Sequence, residues 1–77
     1  MSENSNTFMV SGASTSFDIA LEYAINLAVY NIKKSGIDFP VFSWTVKQIN
    51  GFYEKNENEV TVRIEVTNKS EVMNDDK

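Results

Sequence analysis

The stretch FSWTVKQINGFYEKNENEVTVRIEVT, Phe42 to Thr67, holds two runs of period two and a turn whose position sets the fold. In the first run Phe42, Trp44 and Val46 fall on one face and Ser43, Thr45 and Lys47 on the other. In the second, Val60, Val62, Ile64 and Val66 alternate with Glu59, Thr61, Arg63, Glu65 and Thr67. Such alternation marks strands with one buried face. Asn50-Gly51 is a strong short-range hairpin signal. A turn there sets Trp44 against Glu57 and carries the second strand past the start of its partner. A turn at Lys55-Asn56-Glu57 instead pairs Tyr53 with Glu59, Val46 with Val66 and Gln48 with Ile64. That register brings both apolar faces to one side, as a half-buried sheet requires. The stretch therefore reads as one long hairpin, with Gly51 a bulge or bend inside its first strand. Trp44 then joins Phe42 and Val46 in the core; a bulge beside it turns it to the outer face.

Upstream, FDIALEYAINLAVYNIKK (Phe17 to Lys34) carries alanine at 20, 24 and 28, with Leu21, Ile25 and Ile32 close by on the same wheel, as an amphipathic helix requires. SGASTS before it reads as a loop that caps this helix, with Ser14, Thr15 and Ser16 as candidate caps and Thr15 with Asp18 as a capping box. Lys33, Lys34 and Gly36 suit the helix end, and Pro40 prevents its continuation. Asp18, Glu22 and Asn26 form a narrow polar stripe. The rest of the perimeter is largely apolar, including Ile19, Tyr23, Leu27, Val29 and Tyr30. That is more than a three-stranded sheet covers, so the excess face calls for another subunit. TFMV (Thr7 to Val10) reads as a short first strand, and the order is strand, helix, strand, strand.

Seventy-seven residues make one small domain. MSENSN and NKSEVMNDDK are polar ends, which gives a disordered tail at 1–6, a domain at 7–67 and a second tail at 68–77. A core of this size is marginal, and small domains add disulfides, a metal or oligomerisation. With no cysteine and no histidine, oligomerisation is the route left. The net charge of −4 leaves no basic stripe for nucleic acid. No apolar run spans a bilayer and no secretory signal is visible, so the expected compartment is the cytoplasm.

No nucleophile–base pair or metal-ligand spacing stands out, so no enzyme and no metal site is expected. Asp18 and Glu22, four apart on a helix, read as a solvated face. Asn68-Lys69-Ser70 matches a glycosylation sequon without an export signal. The outer sheet face, with Ser43, Thr45, Lys47, Glu59, Thr61 and Arg63, is wet surface in a monomer and a pocket wall in an oligomer.

Laid out in this order, the chain resembles the dodecins, small flavin-binding proteins that assemble as hollow dodecamers. VSGASTSFDIALEYAINLA (Val10 to Ala28) matches their first strand, serine-rich loop and alanine-bearing helix, with the glycine displaced by one to Gly12. SWTVKQING matches the second strand at Val46, Ile49 and Gly51, and EVTVRIEV (Glu59 to Val66) matches the third. The resemblance implies an α+β fold, β-α-β-β, with a three-stranded antiparallel sheet wrapped around one helix. It also implies a non-catalytic homo-oligomer, a dodecamer, that binds or stores a flavin (FMN or riboflavin) or another planar molecule between subunits. Carried onto this chain, the family's ring-stacking tryptophan falls at Ser43, with Trp44 one place later, and its hydrogen-bonding glutamine falls at Glu59. Ser43, Trp44, Thr45 and Glu59 are thus the candidate ligand-binding residues. The alternative is an oligomer of the same fold whose outer face makes only subunit contacts.

Overall fold

The structure is a computed structural model in which residues 6–70 are described. Its elements are β1 (Thr7–Ser14), α1 (Phe17–Lys34), β2 (Phe42–Glu54) and β3 (Glu57–Asn68). The fold is α+β: one antiparallel sheet in the order β1-β3-β2, with the helix on one face. The expected tails at 1–6 and 68–77 lie mostly outside the described residues. At the boundary, β3 continues to Asn68, one residue past Thr67. Lys69 N–H then donates to Val41 O at 2.7 Å, and Val41 N–H donates to the Ser70 hydroxyl at 2.8 Å. The start of β2 is thereby tied to the end of β3. The sequon residues form a compact turn, in which Ser70 N–H donates to Asn68 Oδ1 at 2.9 Å.

β1 is longer than TFMV. It runs through Ser14 because Gly12, Ala13 and Ser14 keep pairing with Val62, Thr61 and Val60, which leaves only Thr15 and Ser16 to connect it to the helix. Ser16 is the cap, its hydroxyl accepting from Ile19 N–H at 3.4 Å. At the other end Gly36 takes φ +103°, and its N–H donates to Lys33 O at 2.9 Å. This is the left-handed residue after the C-cap, where glycine carries no steric penalty.

The hairpin tip lies where the alternation places it, but is tighter. Lys55 and Asn56 alone form the turn, both at positive φ (54° and 69°), and Glu54 pairs with Glu57. Positive φ at both central residues is the type I′ geometry that matches strand twist. The Tyr53 hydroxyl donates to Asn56 Oδ1 across it, at 3.0 Å.

The register departs from the expected one. Phe52, not Tyr53, lies opposite Glu59; Val46 pairs with Ile64, and Gln48 with Arg63. The bulge sits at Lys47, and Gly51 is an ordinary paired residue opposite Val60. The cause is the spacing of Val46 and Ile49. Three positions apart, they reach the same face only if one extra residue is accommodated between them. Lys47 is that residue, and the shift moves Gln48 off the helix side, where unbroken pairing with Ile64 would have buried it.

The core is small. Val10, Ala20, Ala24, Ala28, Ile32, Val62, Ile64 and Val66 are buried, with Phe8, Leu21, Ile25, Ile37, Phe42, Val46 and Val60 packed around them. α1 packs on β1 and β3 and does not reach β2. Not one of the five phenylalanines, three tyrosines or the tryptophan is buried. The chain exposes 5479 Å² of surface. Its extents are 59 × 24 × 14 Å. The one described helix is not apolar enough to cross a membrane.

Candidate ligand-binding face

Directly opposed residues of an antiparallel pair share a face, so the register assigns every side chain of the sheet. The inner face, toward α1, carries Val10 on β1, then Val60, Val62, Ile64 and Val66 on β3, then Phe42, Trp44, Val46, Ile49 and Tyr53 on β2. The outer face carries Ser43, Thr45, Gln48, Asn50 and Phe52 of β2 with Glu59, Thr61, Arg63, Glu65 and Thr67 of β3. Lys47 joins this side through the bulge, its Nζ lying 3.9 Å from Glu65 Oε1.

Trp44 sits opposite Val66, on the inner face, as the unbroken alternation from Phe42 to Val46 requires. It is nonetheless 40% exposed. The helix overlies β1 and β3 only, so an inward direction on β2 does not amount to burial. The bulge follows Trp44 and leaves its face unchanged.

Ser43 and Thr45 point outward. Ser43 is level with Thr67, whose hydroxyl lies 3.3 Å from that of Thr7, so hydroxyls from three strands form one row. Thr45 is level with Glu65. Glu59 is also on the outer face, but eight positions along β3 from Thr67, roughly 26 Å away. The four candidate residues are therefore not brought together in one chain. Ser43 and Thr45 share one end of the outer face, Glu59 occupies the other, and Trp44 is on the opposite side of the sheet.

Glu59 has a neighbour that the alternation alone did not reveal. Continued without a bulge, the pattern puts Phe52 on the same face as Phe42 and Val46. The shift at Lys47 turns it outward, opposite Glu59 and 64% exposed. The signal for this was the Lys47-Gln48 pair, two long polar residues between Val46 and Ile49. Phe52 and Glu59 line an open concavity of about 860 Å³ with Ala13, Ser14, Asn58 and the tip residues. It exists because β1 leaves the sheet at Ser14, level with Val60, while the β2–β3 ribbon continues to Glu54 and Glu57. A flavin held as the resemblance implies must draw its contacts from more than one chain, or rest on Phe52 with Glu59 as a polar partner. Among the described residues no group of three metal-ligating side chains comes together.

Searches against protein-family models, curated proteins and solved structures found no match to this chain.

Proposed function

We propose that this chain is a non-catalytic subunit of a dodecin-like homo-oligomer that binds or stores a planar molecule, a flavin such as riboflavin or FMN, at its outer sheet face. The observation that carries this reading is that every aromatic side chain lies outside the buried core. Aromatic residues dominate the energetics of cores and interfaces. A small chain that leaves seven of its nine aromatic side chains exposed, with only Phe8 and Phe42 packed against the core, lacks the means to finish its own core, and a second copy supplies the missing cover. The compartment that goes with this reading is the cytoplasm. The outward pair Phe52 and Glu59 supports the ligand part, with a ring to stack on and a carboxylate to accept from a ring N–H at its edge.

A second reading has its own observation. Ser43 and Glu59 stand where the family has its tryptophan and glutamine, and they lie at opposite ends of the sheet. This favours an oligomer of the same fold that holds no small ligand.

Native mass spectrometry of the purified protein, followed by titration of riboflavin read by its fluorescence polarisation, separates the two. A multi-chain mass and a saturable rise in polarisation that Phe52→Ala abolishes support the flavin reading. A multi-chain mass with a flat titration at tens of micromolar leaves the ligand-free oligomer, and a monomer overturns both.

A further inference from the structure

The two edges of the sheet are complementary. On the wheel of α1 the buried row Ala20, Ala24, Ala28 and Ile32 has a flank on either side. Leu21 and Ile25 are half-buried and belong to the core cluster that also takes in Phe42 and Val46 of β2. The other flank carries Tyr23, Leu27 and Asn31. A Cβ placed on Gly12 of β1 would lie 2.9 Å from the Tyr23 Cβ, and Asn31 faces Thr7 and Phe8 across a cleft of about 390 Å³. This flank therefore stands over the β1 edge, with Ile19 and Tyr30 beside it, and Ile19, Tyr23, Leu27 and Tyr30 are all exposed. At the opposite edge the situation is reversed. β2 presents an inner apolar wall, with Trp44 and Ile49 exposed, and no helix above it. One edge has a helix flank without a strand beneath it; the other has a strand without a helix.

Resting on the homo-oligomer reading, we infer that these edges are the two halves of one heterologous contact: β2 of one chain lies along the β1 edge of a second copy, its Trp44–Ile49 wall under that copy's Tyr23–Leu27–Tyr30 flank. β1 and β2 are both antiparallel to β3, so they run parallel to each other. Each copy can then meet the next in the same relation, which generates a closed ring when the rotation closes. The polar stripe Asp18, Glu22 and Asn26 stays in water. Ile19, Tyr23, Leu27, Tyr30, Trp44 and Ile49 are all exposed, and side chains of this size, at on the order of 100 Å² each, are the apolar surface that the contact removes from water, partly from the wall of one copy and partly from the flank of the next.

The test uses Leu27→Glu, which spoils the flank, and Ile49→Glu, which spoils the wall. Both positions are exposed in the single chain, and far-UV circular dichroism checks that the fold survives. Tyr30→Glu and Trp44→Glu form a second pair should either first variant unfold. Native mass spectrometry should find each single variant monomeric. An equimolar mixture should give a one-to-one heterodimer and nothing larger, because the Leu27→Glu chain keeps its wall, the Ile49→Glu chain keeps its flank, and the spoiled edges carry like charges. If wall variants leave the assembly intact while flank variants dissociate it, or if the mixture stays monomeric, the edge-to-edge contact is wrong although the oligomer stands. A monomeric parent protein overturns the homo-oligomer reading itself.

Discussion

At Gly12 the sheet and the helix approach so closely that a Cβ has no room. A Cβ built there would fall 2.6 Å from the backbone nitrogen of Ala24 and closer still to the Ala20 carbonyl oxygen. Both obstacles are main-chain atoms of a hydrogen-bonded helix, so a rotamer change cannot clear them and α1 itself must move away from β1. Overpacking of this kind costs about 1–3 kcal/mol, and the rigid neighbours place Gly12→Ala at the upper end. A domain of this length has roughly 3–10 kcal/mol in total, so the loss is large. Urea denaturation should show the midpoint falling sharply for Gly12→Ala, while Gly51→Ala, whose nearest such contact is an ordinary 3.5 Å, should stay close to the parent. An equal response at both positions would mean that helix and strand are not in contact at Gly12. The alanine row that receives β1 is legible in the sequence as a spacing of four. The glycine opposite it is not, because SGASTS is equally a loop by composition, and only the pairing of Gly12 with Val62 shows the strand passing beneath the helix.

At the scale of the element, the bulge in β2 decides which residues the sheet offers to a ligand. The hairpin tip could be placed from the sequence because the two apolar faces admit few registers. The bulge was harder to place, because Gly51 is the conventional bulge candidate and the Lys47-Gln48 pair between Val46 and Ile49 does not by itself say which of the two is the extra residue. The distinction comes from β3, whose Arg63 and Ile64 must meet an outward and an inward partner in immediate succession. One consequence is testable without any ligand. Deleting Lys47 removes the extra residue and lets Val46 and Gln48 pair with Ile64 and Arg63 in an unbroken ladder, with every later side chain on its present face. The only described interaction lost is a half-exposed ion pair, worth at most about 1 kcal/mol. The deletion should therefore retain the far-UV spectrum and most of the stability. Deleting Arg63 from the central strand should instead unfold the chain, since it shifts pairing with β1 and β2 together. Comparable loss in both variants would place the bulge elsewhere.

For the whole molecule, the proposed association of chains makes stability a matter of concentration. The excess of apolar helix perimeter was readable from the sequence: Ile19, Tyr23, Leu27 and Tyr30 are all exposed. Where the cover is missing was not, because alternation says which way Trp44 points but not whether a helix reaches it, and Ile49 is turned inward only by the bulge at Lys47. α1 stops short of β2, and in the proposed assembly the apolar wall there gains its cover from a neighbouring chain. Unfolding of the proposed assembly releases separate chains, and by mass action each tenfold rise in protein concentration then stabilises the folded form by roughly 1 kcal/mol per chain. For a domain of this size that corresponds to roughly 4–8 °C in the thermal midpoint. Scans across two decades of concentration should show the midpoint climbing by about twice that amount, and Ile49→Glu should lower and flatten the dependence. A midpoint that stays constant over the same range would mean that the eight-residue buried core holds the chain together unaided. The exposed aromatic residues would then need a different explanation.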